Sequence, residues 1–271
     1  MQLDLLVPGV YAWLQLPGGR GRANAGAVID ADGITVIDAL ATPDQYEPFA
    51  EAIEGFGLPI RRLVLTSSGV EHAGGTGRFK LPAIYGSRQA SVHLDQEPNR
   101  ASWDALYPDQ VGLFDEVVTR PVSHVVAADV QLTDACVVVT TGGQMAENLV
   151  VAVPAGEVLF AGAMCSFGAT PLCWQGEPAR WADELDRLVA LAPIVVPGHG
   201  PIGGEEEVRE LQAYLRACVA AAGDPDRLGP GPWDAWSHRE HDVVNIERAA
   251  LVAAGRPDAV PDSMLRLAGL G

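Results

Sequence analysis

Two of the six histidines stand where their chemistry would be usable. His72 directly follows Glu71 and precedes Ala73-Gly74-Gly75, where a tight turn opens a helix; His199 lies between Gly198 and Gly200, after Pro197. Imidazole is the side chain that changes charge near neutral pH, so a histidine on a loop can move a proton or ligate a metal. The competing reading is structural: each ring hydrogen-bonds within its own glycine-rich turn and merely organises the loop. Four cysteines (Cys136, Cys165, Cys173 and Cys218) show neither CxxC spacing nor a secretory setting, which argues against disulfides and a structural zinc knuckle.

The elements that must hold these residues follow from apolar patterning. Val10–Leu16, Ala25–Asp30 and Ile34–Asp38 read as strands, the last two joined by a turn at Ala31-Asp32-Gly33. A helix is expected from Pro43, with Thr42 as its cap and Phe49, Ala52 and Ile53 facing inward. Arg62–Leu65 is a short buried strand that runs into Thr66-Ser67-Ser68-Gly69, followed by a strand at Ala83–Tyr85 and a helix at Arg88–Leu94. In the second half, Val125–Leu132 pairs with Cys136–Thr141, and Asn148–Val153 with Val158–Ala161 across Pro154-Ala155-Gly156. Helices are expected at Ala179–Leu191, 205–221 and Val243–Ala253, with a strand at Ile194–Val196 leading into His199. Residues 1–271 read as one domain, with 205–271 as a helical extension packed on it. Two β-rich halves under outer helices predict an α/β four-layer αββα sandwich.

Four landmarks then fall in the order used by the metallo-β-lactamase superfamily, spanning about residue 8 to about residue 202. Asp38 ends a strand pair. The loop Thr66-Ser67-Ser68-Gly69-Val70-Glu71-His72-Ala73-Gly74-Gly75 resembles T-H-x-H-x-D-H-x-G-G. Gly143-Gln144, followed by strands ending in Gly162-Ala163, is similar to G-H…G-D, and Pro197-Gly198-His199-Gly200 matches P-G-H-G. The stretch Val158–Gly162, Thr170-Pro171-Leu172, Trp181–Leu188 and Asn245–Ala249 further resembles the branch containing cyclase–thioesterases of aromatic polyketide biosynthesis.

The resemblance implies two ions sharing a bridging carboxylate, one on three histidines and one on an aspartate and two histidines. Here Ser67, Gly69 and Gln144 stand at the three-histidine site and Ala163 at the bridge, so no dinuclear centre and no ordinary β-lactam hydrolysis are expected. Glu71, His72 and His199 fall at the remaining positions. Without metal they form a catalytic acid–base set; with metal they would hold one zinc or iron ion. Glutamate in place of aspartate moves the carboxylate by ~1.5 Å, against a ligand tolerance of ~0.2 Å. Ser67, Gln144, Cys165 and Asp38 are taken as substrate-binding. Asp38 alternatively caps its strand, and Cys165 is either a thiolate activated by His199 or a small buried hydrophobe. Trp174, Trp181, Trp233 and Trp236 are candidates for an aromatic pocket, whereas His93, His124, His238 and His241 match no ligand landmark and are assigned to the surface.

The charge balance bounds the partners. The formal net charge is −17, and Lys80 is the single lysine among 18 cations, so no basic stripe exists to hold a phosphate backbone. The expected partner is a small molecule rather than nucleic acid or membrane, in a cytoplasmic protein that is compatible with a homo-oligomer. Three functional readings remain open. The first is a metal-free biosynthetic enzyme (cyclase, dehydratase or thioesterase-like) acting on a polyketide-like carbonyl compound. The others are a mononuclear hydrolase and a non-catalytic pseudoenzyme binding a ligand or subunit.

Overall fold

In the computed structural model, which describes residues 3–270, near-continuous apolar runs give the central strands two buried faces, with successive side chains pointing to opposite sides. β1 (Leu3–Val7), β2 (Val10–Trp13), β3 (Ala25–Asp30) and β4 (Gly33–Ile37) form an antiparallel meander. β5 (Ile60–Val64), β6 (Ala83–Gly86) and β7 (His124–Val125) continue it in parallel to complete a seven-stranded sheet. The second sheet has five strands: β8 (Val130–Gln131), β9 (Val137–Thr141), β10 (Asn148–Val153) and β11 (Val158–Ser166) are antiparallel, and β12 (Ile194–His199) runs parallel to β11.

The three main apolar layers follow from that alternation. Val28, Ile37 and Val64 point between the sheets onto Leu149, Val151 and Phe160. Their strand neighbours Ala27, Val36 and Leu63 face outward onto Phe49 and Ile53 of α1 (Pro43–Glu54). On the far side, Val150, Ala152 and Leu159 meet α5 (Pro178–Val189), α6 (Glu205–Ala220) and Ile246 of α7 (His241–Ala253). Helix, sheet, sheet, helix is thus the order of layers. Short helices α2 (Val70–Ala73), α3 (Arg88–Leu94), α4 (Arg100–Leu106) and α8 (Asp262–Leu267) complete the chain. No helix among the described residues is long and apolar enough to cross a membrane.

The C-terminal helices are tied to the loop after β11 by buried polar groups rather than apolar contact alone. Arg248 donates to the carbonyls of Gly176 (2.6 Å), Gln175 (3.0 Å) and Ala259 (3.0 Å), and Asn245 donates to Pro171 O at 2.8 Å while accepting from Cys173 N at 2.8 Å. Such groups are costly to leave unpaired, so this docking is specific.

Several expectations are corrected. The strand read at Val125–Leu132 is two strands: β7 pairs with β6 in the first sheet, and β8 pairs with β9 in the second. The apolar run continues through Val125–Ala128 while the chain changes partner, and an apolar pattern does not register a change of partner. Thr42 occupies the N-cap position of α1, but its hydroxyl donates to Asp44 Oδ1 at 2.6 Å instead of capping the helix. His241, assigned to the surface, is buried at the start of α7. β1, α2, α4 and α8 had no counterpart in the pattern, being short or weakly periodic.

Candidate functional site

The site is built where β4, β5, β11 and β12 end. Immediately after β4 the backbone enters the left-handed region at Asp38, with φ 61°, a conformation aspartate tolerates better than most residues. The Asp38 carboxylate is buried and fully engaged. It accepts from Thr66 N at 2.8 Å, Thr66 Oγ1 at 2.7 Å and His72 Nδ1 at 2.8 Å. Gly162, at φ 49°, leaves room for this: a Cβ there would sit 2.0 Å from Thr66 Oγ1.

With Nδ1 held by Asp38, His72 aims Nε2 at Glu71 Oε1, 3.8 Å away, and that buried nitrogen has no hydrogen-bond partner among the described residues. Burial lowers the pKa of the His72 ring, but the carboxylates of Asp38 and Glu71 outweigh it and raise the value above the ordinary range.

His199 is positioned from the other sheet. The Asn24 side-chain amide donates to Pro197 O at 3.0 Å and Gly200 O at 2.9 Å, and Asn24 N donates to Gly198 O at 2.6 Å. Gly200 is required, since it has φ 92° and a Cβ would fall 1.9 Å from Phe167 O. Held in this way, His199 Nε2 lies 3.6 Å from Glu71 Oε2, and its ring centroid lies 6.2 Å from that of His72.

Glu71 therefore sits between two imidazoles. Burial raises its pKa, but the charge of His199, helped by His72 and by the Gly21 N–H at 3.3 Å, brings it down to about 2. The Tyr107 phenol lies against this carboxylate, and its own pKa is pushed well above the ordinary value by burial and by Glu71.

Glu71 and His199 open into a cleft of about 220 Å³ that is also lined by Ser68, Gln144, Ala163 and His241, and by the apolar groups of Val70, Trp103, Leu106, Leu172 and Trp174. His72 is completely buried and does not line it. Of the expected substrate-binding residues, Gln144 lines the cleft and three do not. Asp38 is sealed beneath His72. Ser67 is buried with its hydroxyl on Met145 Sδ (3.5 Å) and the Gly69 N–H (3.2 Å), so Ser68 takes its place at the cleft. Cys165 is in the apolar layer between the second sheet and its helices, where burial raises its thiol pKa far out of the reactive range.

Trp174 lines the cleft and Trp181 closes it from within, its indole donating to Met164 O at 3.0 Å. Trp233 and Trp236 instead pack on Tyr214 in the helical layer. His93, although exposed, lines the cleft and lies 2.9 Å from Ser68 Oγ. Arg20, Trp103, Tyr107 and His241 were not among the candidates. Only the run Gly18-Gly19-Arg20-Gly21, a glycine-rich loop between two strands, was a readable signal for any of them.

The residues do not fit a two-ion centre, because positions 67, 69, 144 and 163 carry no imidazole or carboxylate. They do fit one ion. The donor atoms of Glu71, His72 and His199 lie within 4.8 Å of one another, and the orphaned Nε2 of His72, oriented by a carboxylate on Nδ1, has the arrangement typical of a ligating imidazole.

No family model matches the sequence, and no curated protein matches it. Solved structures do match the fold. VMB-1 superposes with a TM-score of 0.64 at 20% identity, covering 80% of this chain and 97% of that one. The DIM-1 metallo-β-lactamase gives 0.62 at 16% identity, covering 79% and 96%. The metallo-β-lactamase FIM-1 from Pseudomonas aeruginosa, in its mono-zinc form, gives 0.60 at 17% identity, covering 80% and 96%. At these identities the likeness speaks for the architecture.

Proposed function

We propose that this chain, which has the metallo-β-lactamase fold, is an enzyme that performs acid–base chemistry on a small carbonyl-bearing molecule of polyketide type, with Glu71 and His199 as the reacting pair. The observation that carries this reading is the Glu71 carboxylate, held between two imidazoles and open to an aromatic-walled cleft. Glu71 accepts a proton from the carbon next to a carbonyl, and a protonated His199 delivers one to the carbonyl oxygen, giving the enol. Attack of the enol carbon on a second carbonyl forms the new carbon–carbon bond, as the attacked oxygen takes the proton held by Glu71 and the enol proton returns to His199, giving cyclisation. Where a hydroxyl stands β to the carbonyl, Glu71 instead hands its proton to the departing hydroxyl while the enol proton returns to His199, giving dehydration. His72 and Asp38 act as positioning residues, because neither reaches the cleft. A carboxylate with a pKa of about 2 is a weak base, which suits a carbon already acidified by two carbonyls.

Trp103 and Trp174 favour a flat, apolar body on the substrate. The test is α-proton exchange into D₂O of a β-keto thioester, followed by NMR in the presence of chelator. Glu71→Gln and His199→Ala should each slow exchange by ~10²–10⁴-fold. Exchange that is equally fast in both variants would reject the reading.

A second reading, a mononuclear hydrolase, is favoured by the orphaned His72 Nε2. One zinc or iron ion held by Glu71, His72 and His199 would supply positive charge to polarise a substrate carbonyl. Elemental analysis of protein purified without a metal-binding tag separates the two: one equivalent per chain that Glu71→Gln/His199→Ala removes, with activity lost in chelator, selects the hydrolase.

A further inference from the structure

We infer that His238, Glu240 and His241 form a second cation site, for one zinc-class divalent ion, beside the same cleft. It shares no residue with the Glu71 set. His241, the first residue of α7, has Nδ1 2.9 Å from the carbonyl oxygen of Thr170. A carbonyl only accepts, so Nδ1 carries the proton and Nε2 presents a lone pair. That Nε2 is buried, in a side chain 3% exposed, and has no hydrogen-bond partner among the described residues.

What Nε2 faces is Glu240 Oε1, 3.9 Å away, which also bears lone pairs. A second proton on the ring would not resolve this, since the resulting N–H would be too far from the oxygen to bond. A cation between the two atoms would. The same Oε1 lies 3.0 Å from His238 Nδ1, and the His238 ring stacks on that of His241 at 5.5 Å, interplanar angle 14°. One donor atom from each of the three residues falls within a 4.8 Å cluster.

Two imidazoles and a carboxylate suit zinc or a similar borderline ion, at bond lengths of ~2.0–2.2 Å. Tetrahedral bonds of that length place donors ~3.4 Å apart, so closing the 3.9 Å gap needs a shift of ~0.5 Å. Glu240 is half exposed and can make it by swinging together with the His238 ring that it contacts at 3.0 Å, while Thr170 fixes the His241 ring. Because His241 lines the cleft, an ion here would meet a bound molecule from a different side chain set than Glu71 and His199. Arg20 acts on His241 electrostatically and opposes a second positive charge, so it sets a limit on affinity.

The experiment uses full-length Glu71→Gln/His199→Ala protein, in which the first set is disabled by changes at partly exposed positions. The protein is stripped with chelator, loaded with zinc chloride, desalted and analysed for metal; cobalt(II) serves as a spectroscopic substitute. The expected result is one zinc per chain and visible cobalt ligand-field bands. Adding His238→Ala/Glu240→Gln, both exposed enough to spare the fold, should weaken zinc by at least ~100-fold and abolish the bands. Arg20→Gln should tighten zinc, an effect that a purely structural cluster would not produce. Absence of zinc in the Glu71→Gln/His199→Ala protein, or zinc retained undiminished after His238→Ala/Glu240→Gln, overturns the proposal. Either result leaves the acid–base reading of Glu71 and His199 standing.

Discussion

His72 and Asp38 form one buried unit: the imidazole donates through Nδ1 to Asp38 Oδ2 at 2.8 Å, and the same carboxylate oxygen accepts from Thr66 Oγ1 at 2.7 Å. This fixes which nitrogen of His72 faces Glu71, and so orients a group that touches nothing in the cleft. Asp38→Asn keeps a side chain suited to left-handed backbone but removes the charge and one acceptor. It should destabilise the protein by about 3 kcal/mol, as expected for breaking a buried pair from one side. Urea unfolding at pH 7 measures this; a loss below about 1 kcal/mol would mean the network is dispensable.

The stability of chelator-treated protein should depend on pH from both sides. The Glu71 pKa is depressed from 4.5 to about 2, so its contribution is complete above pH 4.5 and disappears as pH falls toward 2. The shift corresponds to about 3 kcal/mol. The His72 pKa is raised above 6.5, so its contribution is complete below that value and is lost as pH rises through the folded-state pKa. Stability from this pair should therefore peak between pH 4.5 and 6.5. Melting curves across pH 3–9 for the parent and Glu71→Gln would reveal it: the acid-side loss should shrink in the variant.

All four cysteines are buried, and burial raises each thiol pKa, with Cys173 and Cys218 at about 12. Folded protein should react with a disulfide reagent orders of magnitude more slowly than free thiol, and all four should appear on unfolding. Cys165→Ala should leave exchange activity within about twofold of the parent. Rapid labelling of Cys165 in native protein would reopen a nucleophilic role.

A second ion site of the kind the sequence resemblance implies should be buildable at positions 67, 69, 144 and 163. Gly69 has φ −62° and ψ 143°, and a Cβ there meets nothing closer than 3.6 Å, so its backbone accepts a side chain without strain. Ser67→His, Gly69→His, Gln144→His and Ala163→Asp together should add one zinc equivalent per chain relative to the parent, read by elemental analysis. An unchanged stoichiometry would show that the scaffold itself, and not only four side chains, has moved away from a two-ion geometry.

The layers of this protein were legible in its sequence because they depend on local periodicity. Ala25–Asp30, Asn148–Val153 and Arg88–Leu94 form the elements their patterns predict, and the resemblance of the loops carrying Glu71, His72 and His199 to the metallo-β-lactamase landmarks implied that those three residues come together. What each of these side chains faces was not legible. His72 carries the same imidazole as His199, yet one is sealed and the other open, because Asp38 and Thr66 pull the first inward while Asn24 holds the second from a different sheet. Cys165, two residues beyond Ala163, lies in the apolar layer under the helices instead of beside it in the cleft, because the register of β11 against β12 shifts between Gly162 and Ser166 and regular alternation fails there. The replacement of Ser67 by Ser68 at the cleft, the burial of His241 and the transfer of β7 to the first sheet have the same origin. Each depends on contacts between segments far apart in the chain, where pairing, packing and hydrogen bonding decide which face is buried, and no local pattern encodes that outcome.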